Sequence, residues 1–148
     1  VLTTVFLEGT DGRKMSKSYE NAIYIADPPQ EIRSKVGQMF TDPNRIKRND
    51  PGNPDICNVF AFHQVYSSAA TVEQVQVDCR RAAIGCVEDK KNLAENIVAY
   101  LSPIHEKRRR YLQNPGLVDE VLEDGCQRAR VVASRTMEEV RAAMKINY

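Results

Sequence analysis

From Ile56 onward the apolar residues of this chain recur at intervals of three and four, the spacing of one face of an α-helix, with few interruptions. Leu93, Ile97, Leu101 and Ile104 form one stripe in a helix expected over 88–113, and Pro103 is expected to bend it. Asn114 followed by Pro115 reads as a helix start, and Val118, Val121, Leu122, Ala129, Val132 and Val140 carry the pattern toward Met144 past Gly125. Ile56–Tyr66 is apolar on most sides, as a buried helix would be. Thr71 with Gln74 has the pattern of a capping box opening a helix that runs to Arg81 or Ala83.

The first 55 residues read differently. Val1–Leu7 is apolar and β-branched, an extended segment that runs into the turn Gly9-Thr10-Asp11-Gly12. Asp27, Pro28 and Pro29 break the chain, after which Ile32, Val36 and Met39 mark a short helix over 30–40. TDPNRIKRNDPGNPD is an irregular connector made basic by Arg45, Lys47 and Arg48. The predicted fold class is mainly α, a helical bundle preceded by a short strand and a loop.

With 148 residues the chain has room for one main domain with a real core. A formal net charge of +1 exerts no global pull on nucleic acid or membrane, so any polyanion must be met by local patches. No run reaches the length of a membrane span and no signal-peptide pattern opens the chain, which gives the expectation of a cytoplasmic protein. The absence of an initiator Met gives the further expectation that the chain starts inside a longer protein. Cys57, Cys79, Cys86 and Cys126, without a secretion signal, point to free thiols or metal ligation rather than a disulfide scaffold.

The densest chemistry lies in GTDGRKMSKSYENAI, residues 9–23. Lys14 and Lys17, with Ser16 and Ser18, sit on a turn entered through two glycines. Ammonium groups offset phosphate charge, hydroxyl and loop N–H groups donate hydrogen bonds, and glycine permits close backbone approach. Cations that engage a departing pyrophosphate stabilise the transition state more than the ground state.

Lys14-Met15-Ser16-Lys17-Ser18 resembles the KMSKS signature of class I aminoacyl-tRNA synthetases, and its flanks resemble those of the tryptophanyl enzymes. TDPNRI (41–46), DPGNPDICNVFAFH (50–63), CRRAAIGCVEDKK (79–91) and LSPIHEKRRRYL (101–112) follow in the order seen in bacterial tryptophanyl-tRNA synthetases, so the resemblance covers essentially the whole chain. Tyrosyl enzymes share KMSKS but are not expected to carry these blocks.

The resemblance implies a tryptophan–tRNA ligase that activates tryptophan with ATP and Mg²⁺ and transfers it to tRNA(Trp). Residues 1–27 would end a Rossmann-type catalytic domain, and 28–148 would form the anticodon-binding helical domain. Lys14 and Lys17 would contact the phosphates, with Lys17 stabilising the leaving pyrophosphate. Met15 would pack near the adenosine, and Ser16 and Ser18 would donate hydrogen bonds or hold a loop that is mobile without ATP. Lys107, Arg108, Arg109 and Arg110, together with the connector cations, are candidate tRNA contacts.

The family's HIGH motif and tryptophan pocket lie upstream of KMSKS, so this chain alone is expected not to form the adenylate. Dimerisation would rest on the catalytic domain, leaving this segment monomeric. A stand-alone RNA-binding or regulatory paralogue without catalysis is the alternative.

Cys57, Cys79, Cys86 and Asp89 match, with Asp in the fourth place, a four-cysteine pattern that holds a [4Fe-4S] cluster in some bacterial tryptophanyl enzymes. Thiolates suit iron, and a carboxylate is a harder substitute. A cluster completed by Asp89 or water, another metal such as zinc, and metal-free thiols all stay open. His63, on an apolar helix beside Phe60 and Phe62, reads as a hydrogen-bonded core histidine, and Cys126 as packing.

Overall fold

A computed structural model describes residues 7–146, so the extended segment expected over Val1–Leu7 lies, except for Leu7, outside them. Five α-helices follow the opening loop: α1 Pro29–Gly37, α2 Asn58–Tyr66, α3 Ala69–Arg80, α4 Cys86–Gln113 and α5 Pro115–Met144. The β structure among the described residues is one isolated antiparallel bridge, Glu8 to Lys14, which closes the base of the loop. The mainly α class is therefore as read from the periodicity.

The chain divides into two compact units, Val1–His105 and Glu106–Tyr148. In the first, Ile32 and Val36 of α1, Val59, Phe60 and Phe62 of α2, Val75 of α3, and Leu93, Ala94, Ile97 and Leu101 of α4 form one core. Removing side chains such as Phe62, Leu93 and Ile97 from water stabilises the fold by roughly 1.5–3 kcal/mol each. Leu7, Met15 and Ile23 pack on this core, so the loop's roots belong to the same unit. Arg33 of α1 forks onto Glu95 of α4 at 2.6 and 2.9 Å, an exposed pair that orients more than it stabilises.

Helix boundaries shifted where local caps outcompeted the apolar pattern. α1 stops at Gly37 rather than near Phe40, because the Phe40 N–H leaves the helix to donate to Thr10 O at 2.7 Å. α2 begins at Asn58, preceded by a single 3-10 turn over Pro54–Ile56. α3 begins one turn earlier than the Thr71–Gln74 pattern suggested. Ser68 is its N-cap, its Oγ accepting from Thr71 N at 3.2 Å, while Gln74 reaches forward to Asp78.

Ala82 ends α3 in the left-handed region at φ 56°, and the Ala83 N–H returns to Asp78 O at 2.8 Å. α4 runs unbroken through Pro103. Asn114 precedes Pro115 as expected, although its side chain makes no capping bond. α5 buries none of its own residues, leaving Val121, Leu122, Val131 and Val132 exposed. Among the described residues no helix is long and apolar enough to cross a membrane.

Candidate functional site

The lysine loop is built around Asn21, which is 3% exposed. Its Oδ1 accepts from Ser16 N at 2.9 Å, and its Nδ2 donates to Asp11 Oδ1 at 2.8 Å and to Lys14 O at 3.2 Å. One amide thus ties together three points of the turn. A second, Asn58 at the start of α2, donates to Gly9 O at 2.7 Å and anchors the loop to the helical core. Gly9 is obligatory for a steric reason, since a Cβ there would collide with the Asn21 amide and stand 2.8 Å from Asn21 O. Gly12 is required by its backbone, at φ 77°.

Asp11 completes the base. Donation from the Asn21 amide, reinforced by the Arg13 backbone N–H and guanidinium, holds its carboxyl down at about 2. Arg13 lies 2.6 Å from Asp11 and stacks over Tyr19 at 4.6 Å, so this cation is committed to the loop itself. Lys14 and Lys17 are exposed, and neither pairs with a carboxylate among the described residues. The two ammonium groups are thus presented to solvent by a turn whose backbone is pinned by Asn21 and Asn58.

Lys17–Tyr19 forms one 3-10 turn, capped by Ser16, whose Oγ accepts from Ser18 N at 3.2 Å, and closed by Glu20 at φ 52°. Ser18 is exposed, whereas Met15 is half-buried against the core and roots the loop there. Among the described residues, then, the base of the loop is fixed by side-chain amides and only the 17–20 tip rests on local bonds. Asn21, Asp11 and Asn58 escaped the sequence reading. Asn and Asp in turns are routine, and nothing in the order of residues announces that Asn58 meets Gly9.

The three-cysteine pattern, which by itself leaves a cluster, another metal and metal-free thiols all open, gains no support for a metal site. Among the described residues no group of three or more His, Cys, Asp or Glu side chains is placed to hold a metal ion. Cys57 caps α2, Cys79 lies in the last turn of α3 and Cys86 opens α4, all three as free thiols. Arg45 Nη1 lies against two of them, 4.0 Å from Cys79 Sγ and 3.7 Å from Cys86 Sγ. Its Nη2 donates to Arg48 O at 2.8 Å and Ile84 O at 2.7 Å.

Asp89 turns elsewhere, its Oδ1 3.3 Å from His63 Nε2, while His63 Nδ1 lies 2.7 Å from Ser67 Oγ. Both residues are buried, so His63 is the core histidine that its neighbours suggested. Burial pushes the Cys57 thiol up, and it pushes Cys79 up against the opposing pull of Arg45. With Asp89 Oδ1 beside His63 and the thiols free, the arrangement among the described residues lends no support to a [4Fe-4S] cluster or a zinc ion at Cys57, Cys79, Cys86 and Asp89. Cys126 is exposed on α5 rather than packed.

Lys107–Arg110 are exposed on α4, but consecutive helical residues advance by about 100° each, so the four point around the helix instead of forming one face. A second basic cluster is spatial. Arg45, Lys47 and Arg48 from the connector meet Lys91 of α4 around one cleft.

A pinned turn that offers two unpaired ammonium groups has the chemistry of a phosphate-binding loop. The family described as tRNA synthetases class I (W and Y) matches residues 1–102, and the chain belongs to that family. The tryptophan–tRNA ligase of Aquifex aeolicus is 44% identical over 141 residues, which cover 95% of this chain and 36% of the relative. That of Thermotoga maritima is 45% identical over 143 residues, covering 96% and 44%. In structure the chain is similar to the tryptophanyl-tRNA synthetase of Campylobacter jejuni, solved with ADP and tryptophan, with TM-score 0.83 and 27% identity over 96% of this chain and 44% of that one. The chain therefore spans less than half the length of these relatives.

Proposed function

We propose that this chain is part of a tryptophan–tRNA ligase, carrying the loop that handles the ATP phosphates and the region that binds tRNA(Trp). Residues 1–27 would belong to the catalytic domain and 28–148 to the anticodon-binding domain, in an intact homodimer working in the cytoplasm. The observation that carries the reading is the pair Lys14 and Lys17, exposed and without carboxylate partners among the described residues, on a turn locked by Asn21.

In the reaction, a tryptophan carboxylate oxygen attacks the α-phosphorus of ATP, the bond from that phosphorus to the bridging oxygen breaks, and pyrophosphate departs with the electron pair. Mg²⁺, arriving with ATP, would offset phosphate charge. Lys17, at the tip of the loop, would meet charge as it develops on the leaving group, and Lys14, at its pinned base, would hold the phosphates in the ground state as well. Ser16 keeps its hydroxyl proton free to donate while its oxygen caps the turn, and Ser18 offers a second hydroxyl. Met15 anchors the loop, which confines its proposed contact with adenosine to what its half-exposed surface reaches.

Lys17→Ala in the intact enzyme tests this. Tryptophan-dependent ATP–pyrophosphate exchange should fall roughly 10²–10³-fold in kcat, the scale of losing one transition-state donor, with the KM for tryptophan near its original value. Equal losses in kcat and tryptophan affinity would refute the role given to Lys17.

A further inference from the structure

The cleft between the 41–48 connector and the first turn of α4 encloses about 600 Å³. Arg45, Lys47, Arg48 and Lys91 line it, against a single carboxylate, Glu88. The lining thus carries a formal charge of about +3 in a chain whose total is +1. Among the described residues, no carboxylate lies within ion-pair distance of any of the four cations. Four like charges held around one cavity repel one another, and an anion in the cavity offsets that repulsion.

Arg45 makes the arrangement rigid. Its two carbonyl bonds, to Arg48 O and Ile84 O, staple the connector to the loop before α4, so the cations do not have to be gathered when a ligand arrives. Its Nε is shielded from solvent and meets no acceptor. Lys47, Arg48 and Lys91 are exposed around it.

We propose that this cleft is a socket for a phosphodiester of bound RNA, with Lys47, Arg48 and Lys91 as the contacts and Arg45 as the strut that positions them. The proposal rests on the reading of the intact protein as a tRNA ligase. No aromatic side chain lines the cleft, so it offers no ring on which to stack a base. The socket grips backbone and sets register, independent of sequence, and base recognition lies elsewhere. Lys91, 43 positions from Arg48 in the chain, is the member that only the fold supplies.

The test is binding of tRNA(Trp) transcript to the intact enzyme, followed by fluorescence anisotropy across a salt titration. Lys47→Gln, Arg48→Gln and Lys91→Gln should each weaken binding and lower the slope of log K against log salt by about 0.7–0.9, and the triple variant by about the sum. Lys90→Gln, whose parent ammonium donates instead to Gly37 O at 3.2 Å, should leave the slope unchanged. Pyrophosphate exchange should be unaltered in all five variants.

A triple variant with the original slope overturns the socket while leaving the ligase reading intact. An original enzyme that binds no tRNA overturns both. Saturable binding of inorganic phosphate at constant ionic strength, abolished in the triple variant whose tRNA slope is unchanged, assigns the cleft to a free anion and overturns the RNA contact.

Discussion

Replacing Asn21 with alanine isolates what holds the lysine loop in shape. The substitution removes the acceptor for Ser16 N and the donor for Lys14 O, at 2.9 and 3.2 Å, from a residue that is 3% exposed. Each such bond is worth about 0.5–1.5 kcal/mol net, and leaving a partly buried partner unpaired adds to that. Counting these two bonds and nothing for the exposed Asp11 contact, the expected loss is about 2–3 kcal/mol. In a domain of this size that corresponds to roughly 5–10 °C in Tm.

Thermal unfolding followed by far-UV circular dichroism reads the stability. Pyrophosphate exchange in the intact enzyme reads the loop and should fall, because both lysines lose their fixed base. Asn21→Asp sharpens the test. It keeps the shape and the bond from Ser16 N but sets a carboxylate against Asp11 and the Lys14 carbonyl, so at neutral pH it should be less stable than the alanine variant and recover as the carboxylate is protonated. An alanine variant within about 0.5 kcal/mol of the original, with unchanged exchange, would refute the reasoning, because the loop would then be held by something other than this amide.

Two further outcomes concern the same chain. The Asp11 carboxyl is depressed in the folded state from 3.8 to about 2, so its contribution is complete above the unfolded value and is lost as pH falls through that window. Asp11→Asn should therefore flatten the dependence of stability on pH between about 4 and 2 in denaturant titrations, and an unchanged slope would count against the Asn21–Asp11 bond. Ala82→Gly should stabilise the chain by about 0.5–1 kcal/mol, since position 82 holds φ 56° at the end of α3, and a destabilised variant would show that the Ala82 methyl packs more favourably than its backbone is strained.

How much was legible in advance depended on how local the cause was. The helix start at Pro115 and its end near Met144 are written in residues that act on their own neighbours, and both stand where the pattern put them. The start of α3 was misplaced by one turn because Ser68 and Thr71 are both good caps, and only the observed backbone shows which oxygen meets which N–H. The motif around Lys14 and Lys17 pointed to phosphate chemistry, but not to Asn21 as the residue that shapes it. The cysteine spacing, read as a ligand set, carried no information about Arg45, which lies 34 positions from Cys79 and 41 from Cys86.

By itself, then, the sequence determined a mainly α chain, the extent of its long helices and the loop that carries its charge, because periodicity, caps and glycines act over a turn or two of backbone. The tertiary structure alone decided what those pieces do together. It placed Asn58 under Gly9, set Arg45 against the thiols, turned Asp89 toward His63, and closed a cleft with Lys91. Each of these brings together side chains that are distant in the chain, and only the packing of the helices decides which of them meet.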